Sequence, residues 1–169
     1  MMGSGKTSVG RALASRLSRP FVDSDEQIEA RTGQTVKQIF AERGEAAFRA
    51  EESAVLEEAL SSPTPAVVAA AGGAVLDPVN RRLIRAAGRS GLVVWLRADP
   101  AVLAERVVPS VAAGGHRPLL EDDPAGALAR LDAVRRPLYE EVADTAIDVD
   151  KRSVDDVVDA ICTHLAARR

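Results

Sequence analysis

The first residues that could do chemistry form a glycine-rich segment near the start of the chain, Gly3-Ser4-Gly5-Lys6-Thr7. It matches the second half of the phosphate-binding pattern G-x-x-x-x-G-K-[ST]. Glycines let consecutive backbone N–H groups turn inward around phosphate oxygens, where a side chain would block their approach. Lys6 would reach the β- and γ-phosphates of ATP, and Thr7 would offer its hydroxyl to Mg²⁺. The segment and the following Ser8, which opens a helical pattern, therefore predict a nucleotide phosphate site.

An acidic pair, Asp23-Ser24-Asp25, closes a short apolar run. Two carboxylates two residues apart on an extended segment project to the same side, so one could lie near a metal's water shell while the other meets an acceptor hydroxyl. The same string is also a common helix cap, and residues 26–31 have a helical pattern. Both interpretations stay open on these residues alone.

Two arginines and a glycine pair could bind a small carboxylate. Arg49 lies in a helical pattern, Arg135 precedes the string Arg136-Pro137-Leu138-Tyr139, and Gly72-Gly73 follows an apolar run. Each arginine alone is typical of a solvated charge. Together, backbone amides exposed by glycine and two guanidiniums would clamp a carboxylate.

Residues 109–116 interrupt the helical patterns, because Val-Ala-Ala-Gly-Gly offers neither a packed face nor good helix propensity. Followed by Arg117-Pro118, this stretch is typical of a mobile lid that carries a charge to a ligand. An ordinary surface loop explains the local sequence equally well. His116 and His164 have no metal partner at useful spacing, and we assign them no catalytic role.

The elements that must position these residues alternate between short β-branched runs and longer helical patterns, which is typical of an α/β fold with a parallel sheet. Strands are predicted at 21–22, 66–71, 92–96 and 146–149. Helices are predicted at 8–17, 26–31 and 44–60, and after Ser153, which caps the last one together with Asp156. The apolar stripe of that helix is Val154, Val157, Val158, Ile161, Cys162 and Leu165, so Cys162 is expected in the core.

A phosphate loop of this type normally follows the end of a strand. Here the first glycine of the pattern would fall one position before Met1, and no apolar run leads into the loop. In the P-loop kinase fold that the sequence resembles, this first strand lies inside the sheet, so its absence would leave two strand edges unpaired. We expect the natural protein to start upstream of Met1.

The bulk properties fit one domain, residues 1–169, with 46% hydrophobic residues available for a core. A formal net charge of −3 argues against a nucleic-acid binder with a broad basic face. The single cysteine excludes an internal disulfide and a cysteine-based metal cluster. No apolar run is long enough for a membrane span, and the first residues do not have the pattern of a signal peptide, so we expect neither. We expect a cytoplasmic protein and, since no apolar stripe is left over after the core is assigned, a monomer.

The ordered motifs resemble the shikimate kinase family over nearly the whole chain. The family's markers stand in order as Gly-Ser-Gly-Lys-Thr at 3–7, Asp-Ser-Asp at 23–25, Phe-Arg at 48–49, Gly-Gly-Ala-Val at 72–75, Arg-Pro-Leu-Leu at 117–120 and Arg-Arg-Pro-Leu-Tyr at 135–139. The resemblance implies a P-loop NTPase-type three-layer α/β sandwich, with a mobile lid at about 108–120 and an acceptor-binding region at about 24–52. It also implies transfer of the ATP γ-phosphoryl group to the 3-hydroxyl of shikimate, with Mg²⁺ as cofactor, in aromatic amino-acid biosynthesis.

The same resemblance implies roles on the acceptor side. Asp25 would bind the acceptor hydroxyls and act as the base, and Asp23 would support Mg²⁺ through water. Arg49 and Arg135 would hold the shikimate carboxylate, and Gly72-Gly73 would complete that site through the backbone.

On the nucleotide side, the resemblance implies that Arg117 would swing in with the lid and neutralise phosphoryl charge. Arg106 and Arg152 resemble the family's residues that flank the adenine. Two positions depart from the family pattern: Ala71 replaces the first of three glycines, and Val154 replaces a proline that often follows the adenine-binding arginine.

Two other function classes are compatible with the motifs. One is a kinase for another small hydroxylated acceptor, such as gluconate or a nucleoside monophosphate. The other is a P-loop protein with impaired nucleotide binding, which the incomplete glycine pattern would favour. A purely structural α/β domain leaves the Arg, Asp and Gly clusters at the strand ends unexplained.

Overall fold

The computed structural model describes residues 1–112 and 123–168, which fold as alternating helices and short strands. In chain order the elements are α1 (Lys6–Leu17), β1 (Phe21–Asp23), α2 (Ser24–Thr32), α3 (Val36–Ser61), β2 (Val67–Ala69), a 3-10 turn (Ala74–Leu76), α4 (Pro78–Gly88), β3 (Val94–Arg97), α5 (Pro100–Ala112), α6 (Pro124–Val142), β4 (Thr145–Asp148) and α7 (Val154–Ala166). The four predicted strands are present, with ends that differ by at most two residues. The α/β class is confirmed.

The strands pair in two parallel sets, as the alternating pattern predicts. β1 pairs with β2, with Phe21 opposite Val67, and β3 pairs with β4, with Val94 opposite Thr145. The two sets are not joined, because among the described residues neither β2 nor β3 pairs along its second edge. The parallel sheet is therefore divided into two halves, with the two open edges expected when no strand leads into the phosphate loop.

An apolar cavity of about 550 Å³ lies between the two halves. Its lining includes the three residues of β2, the stretch 94–96 of β3, and Met1. The second edges of β2 and β3 thus lack, in the described part of the chain, the ladder partners that a central strand would supply. The phosphate loop starts at the rim of this cavity.

The main core joins the helices that follow β3 to the last helix. Leu103 of α5, Leu128 of α6 and Val157 of α7 are buried to 1% exposure or less, and each such side chain contributes about 1.5–3 kcal/mol by burial. The predicted cap of α7 is confirmed as a capping box between Ser153 and Asp156. Cys162, which was expected in the core, is partly buried and packs against its margin.

A second, smaller apolar cluster positions α3 against α2. α3 consists of two helical segments that meet at Gly44, whose φ of 79° is rarely adopted by other residues. The second segment corresponds to the predicted helix at 44–60. Its Phe48 and Val55 pack with Ile28 of α2 and Ile39 of the first segment. By holding Phe48 in place, this cluster also fixes the position of the next residue, Arg49, on α3.

The predicted lid at 108–120 lies mostly outside the described residues. Its first part contradicts the predicted break at residue 109, because α5 continues through that proline to Ala112. A proline removes one hydrogen bond from a helix, and the buried Leu103 and Val107 secure the turns before it. Arg117 and His116 belong to the undescribed stretch.

Among the described helices, none is long and apolar enough to cross a membrane.

Candidate active site

The segment from Met1 to Thr7 forms a tight loop that leads into α1. Gly3 and Gly5 have φ values of 75° and 85°, a region that suits glycine. A Cβ on Gly3 would also stand 2.9 Å from a methyl group of Val107. No side chain caps α1 at Gly5, so the N–H groups of its first turn are donors suited to an anion. This geometry suits a phosphate loop.

Two polar side chains hold the loop from within. The buried Ser4 hydroxyl donates to the Met1 carbonyl oxygen at 2.9 Å, and the Lys6 ammonium donates to the same oxygen at 2.9 Å. Burial, followed by the charges of Lys6 and Arg135, holds the pKa of the Met1 amino group well below its ordinary value. The cationic side chains of Lys6 and Arg135 both act on this position, and cations placed together in this way favour binding of a polyphosphate. Ser8 lies exposed on α1.

The acidic pair is split between a strand end and a helix start. Asp23 ends β1 and caps α2, accepting a hydrogen bond from the Asp25 backbone N–H at 3.1 Å. The predicted extended arrangement of both carboxylates is therefore wrong, and the helix-cap interpretation is confirmed. The other Asp23 oxygen accepts the Thr7 hydroxyl at 2.8 Å, which joins the strand end to the phosphate loop. The Ser24 hydroxyl accepts a hydrogen bond from the Ala71 N–H at 2.8 Å. This bond joins the start of α2 to the residue that precedes the glycine pair.

Arg49 lies between two carboxylates. Its Nη1 donates to both oxygens of Glu52 at 3.0 and 3.1 Å, and its Nε and Nη2 donate to one oxygen of Glu45 at 3.3 and 2.9 Å. Burial lowers the pKa of Arg49, but the two carboxylates outweigh it and the pKa is raised overall. Burial also raises the pKa of Glu52, and the negative charge of Asp25 adds to that rise, while Arg49 opposes it. Asp25 and the Arg49–Glu52 pair are thus electrostatic neighbours.

Arg135 is buried on α6, at 5% exposure. Its charge acts on Tyr139, whose hydroxyl donates to the Gly72 carbonyl oxygen at 2.7 Å. Burial raises the pKa of Tyr139, against the opposing charge of Arg135. The Arg135 Nε atom is buried and has no hydrogen-bond partner among the described residues. A buried guanidinium with an unsatisfied donor is suited to an anionic ligand.

The glycine pair is the point at which the two arginines meet. A Cβ on Gly73 would lie only 2.1 Å from Arg49 Nη1, and one on Gly72 would lie 3.5 Å from Arg135 Nη1. Glycine at 73 is therefore needed for the close approach of Arg49 to the backbone. The structure brings together four residues that the sequence had proposed for one acceptor site.

The proposed adenine-flanking arginines lie near the loop before α7. Arg106 donates to the carbonyl oxygens of Val149 and Asp150 at 2.8 and 3.1 Å. That places Arg106 beside the stretch that carries the exposed Arg152. Arg117, proposed to act on the phosphoryl group, lies outside the described residues.

Sequence reasoning did not identify Glu45 and Glu52, which bind Arg49. It also did not identify the Tyr139 hydroxyl, which donates to the Gly72 carbonyl oxygen. An acidic residue three or four positions from an arginine is frequent on solvated helix faces. The spacing alone therefore gave no signal. What distinguishes Glu52 is its 1% exposure, which depends on packing between α3 and the turn after β2.

The oxygens around Thr7 fit a magnesium ion. Mg²⁺ prefers oxygen ligands and usually combines one or two carboxylates with waters and substrate phosphates, and here the Thr7 hydroxyl and the Asp23 carboxylate are 2.8 Å apart. In the part of the chain that the structure describes, no cluster of three or more His, Cys, Asp or Glu residues could hold a metal by itself. A cation at Thr7 would therefore share its coordination with the phosphates of a nucleotide.

The divided parallel sheet, the glycine loop before α1 and the carboxyl-end position of the charged cluster define the class of a P-loop α/β kinase. The family model for shikimate kinase matches residues 2–166, and the chain belongs to this family. The shikimate kinase of Symbiobacterium thermophilum is 47% identical over 170 residues, covering 99% of this chain and 94% of that protein.

Solved structures agree with this assignment. The shikimate kinase from Acinetobacter baumannii in complex with shikimate has a TM-score of 0.90 and 36% sequence identity, covering 99% of this chain and 90% of that one. The shikimate kinase from Aquifex aeolicus has a TM-score of 0.79 and 28% identity, covering 99% and 93%. The predicted P-loop fold class and the family resemblance are both confirmed.

Proposed function

We propose that this chain transfers the γ-phosphoryl group of ATP to the 3-hydroxyl of shikimate, giving shikimate 3-phosphate and ADP. The observation that carries this proposal is the meeting of Arg49 and Arg135 at the Gly72-Gly73 pair, beside Asp25 and within reach of a phosphate loop. Membership of the family supports it, and so does the shikimate complex of the Acinetobacter baumannii relative.

On the acceptor side, the two guanidiniums bind the shikimate carboxylate. Arg135 brings a buried, unsatisfied Nε donor, and Arg49 is pressed against the backbone of Gly73. Charge-assisted hydrogen bonds to a carboxylate are about twice as strong as neutral ones. Binding at this end orients the ring, which lowers the entropic cost of aligning a hydroxyl with the phosphoryl group.

Asp25 acts as the base for that hydroxyl. It is exposed in the first turn of α2, and its charge reaches Glu52 of the acceptor cluster. The acceptor oxygen forms a bond to the γ-phosphorus while the bond from that phosphorus to the β,γ-bridging oxygen breaks. Asp25 takes the hydroxyl proton, and ADP leaves with the bridging oxygen.

The phosphate loop binds the nucleotide. Backbone N–H groups of residues 3–8 hold phosphate oxygens, and Lys6 moves from the Met1 carbonyl to the β- and γ-phosphates. Thr7, together with Asp23 through a water, would hold Mg²⁺, which when bound would neutralise charge that develops on the transferred group. Arg106 and Arg152 flank the adenine, and Arg117 adds charge at the γ-phosphate.

An ADP-release assay with a panel of acceptors tests the proposal. We expect ATP-dependent turnover with shikimate, and at least about a hundredfold lower kcat/KM with gluconate or a nucleoside monophosphate, which lack its ring-borne carboxylate geometry. Turnover that prefers gluconate would favour the other acceptor class. Failure to bind ATP in a calorimetric titration would favour a P-loop protein with impaired nucleotide binding.

The chain acts as a single kinase domain over residues 1–169, as a monomer in the cytoplasm. The single, unpaired Cys162 is compatible with a reducing compartment. Light scattering on the eluting peak of a gel-filtration column should give a mass near 17.8 kDa.

A further inference from the structure

The two carboxylates on Arg49 occupy different edges of its guanidinium. Glu52 takes Nη1 alone, whereas Glu45 takes the flat edge formed by Nε and Nη2 with a single oxygen. That flat edge is one of those on which a guanidinium makes a paired, two-pronged contact with a ligand carboxylate. The edge best suited to an acidic ligand is therefore occupied by a side chain of the protein itself.

The two carboxylates also differ in how firmly they are held. The side chain of Glu52 is 1% exposed and that of Glu45 is 58% exposed. In the described part of the chain, the hydrogen bonds of Glu45 go to Arg49 alone. Glu45 is also the first residue after the break at Gly44, where nothing lies within 4 Å of an added Cβ. Glu52 is thus part of the packed structure, whereas Glu45 can leave Arg49 by a side-chain rotation into water.

We propose that Glu45 is a specificity-determining competitor that occupies the ligand edge of Arg49 and is displaced by the carboxylate of the acceptor. The proposal rests on the proposed function, because it takes Arg49 as the acceptor's carboxylate site. Glu45 neutralises Arg49 while the site is empty, so that a weak or uncharged ligand does not gain this contact. Glu45 is displaced only by a ligand carboxylate that binds Arg49 more tightly than Glu45 binds it.

A purely structural role for Glu45 predicts the opposite outcome. If Glu45 served to orient Arg49 for the ligand, its removal would loosen the guanidinium, weaken acceptor binding and raise KM. Competition predicts tighter binding and a lower KM when the carboxylate is removed. The direction of the change in affinity therefore separates the two roles.

The test compares Glu45→Gln with the native chain, with Glu57→Gln as the matched control. Glu57 lies on the same helix and is also exposed. Shikimate binding is measured by calorimetry, and binding of cyclohexanecarboxylate, a simple carboxylate probe, by NMR titration. For Glu45→Gln we expect Kd for both ligands to fall about two- to fivefold, the range that an exposed ion pair supports. KM for shikimate should fall as well, while kcat stays unchanged. Glu57→Gln should match the native chain.

Unchanged or weaker binding by Glu45→Gln, with a native melting temperature, would overturn the proposal. Native chain that binds neither carboxylate would also overturn it, because Arg49 would then not be an acid site. If the native chain binds cyclohexanecarboxylate but does not phosphorylate shikimate, the proposed function fails. A tighter Kd of Glu45→Gln for the simple carboxylate would still support the competitor role.

Discussion

The acceptor side and the phosphate side of the site are built in different ways. The acceptor side depends on buried side chains: Glu52 and Arg135 are 1% and 5% exposed, and Gly73 is in close contact with Arg49. The phosphate side depends on the backbone of a loop whose polar side chains point at Met1. That loop begins beside a cavity of about 550 Å³ between two half-sheets. Packing therefore holds the acceptor site in place, whereas the phosphate site depends on the support of the loop.

The largest effect is expected on the phosphate side, from Lys6→Ala. Loss of the ammonium removes charge stabilisation from the transition state, so kcat should fall at least about a hundredfold. KM for shikimate should change less than about threefold, because the acceptor side does not depend on Lys6. Steady-state ADP release measures both constants, and Lys37→Ala, an exposed lysine on α3, is the control. Comparable losses in kcat and in shikimate affinity would show that the acceptor side does depend on Lys6.

The support of the loop can be tested by adding a strand. Fusing the apolar segment Lys-Val-Val-Leu-Ile-Gly ahead of Met1 should place an extended strand between β2 and β3, where it can pair with both open edges. We expect a gain of about 3 kcal/mol in the free energy of unfolding, from several hydrogen bonds and apolar burial, which is about 6–12 °C in Tm for a chain of this size.

The control for the added strand is the same fusion with proline at its third position, since proline cannot donate to the ladder. Tm is read by circular dichroism and ATP affinity by calorimetry. An equal gain in Tm from both fusions would show that the segment does not pair with the sheet.

Next in size is Arg135→Ala on the acceptor side. Removing the buried guanidinium should raise KM for shikimate about a hundredfold, which equals about 2.7 kcal/mol of binding free energy, while kcat changes much less. Arg130→Ala, on the same helix with a side chain 70% exposed, is the matched control. Circular dichroism checks that the Arg135 variant is folded. A folded variant with native shikimate kinetics would refute the acceptor-site assignment.

The smallest effect concerns the shape of one contact, in Arg49→Lys. An ammonium keeps the charge but cannot reproduce a two-pronged contact with a carboxylate, so KM for shikimate should rise about tenfold. The same kinetic assay measures it, with Arg43→Lys, an arginine of the preceding helical segment, as control. If Arg49→Lys binds shikimate as the native chain does, charge alone suffices at this position.

The sequence predicts those elements whose local signals agree. α7 has both a capping box and an apolar stripe, and β3 falls in a continuous apolar run, so both lie close to where they were expected. The Asp23-Ser24-Asp25 string carried two competing signals, and the capping tendency of Asp23 outweighed the extended one. The predicted set omits α4, α5 and α6, whose apolar positions become interpretable only once their packing partners are known.

The candidate site was predictable to the extent that it uses motif residues. Lys6, Arg49, Arg135 and the glycine pair stand in ordered strings that resemble a family. Glu45 and Glu52 do not stand out, because their importance arises from burial and from the edge of Arg49 that each one takes. Such features depend on the tertiary packing of α3 against the rest of the chain.

The most direct test of phosphoryl transfer to the 3-hydroxyl of shikimate is to identify the product. The chain is incubated with ATP, Mg²⁺ and shikimate, and the mixture is analysed by ³¹P NMR with correlation to the ring protons. We expect one new phosphate monoester signal coupled to the proton on C3, formed in equal amount with ADP. ADP formed without a phosphorylated acceptor, or phosphate attached at another hydroxyl, would contradict it.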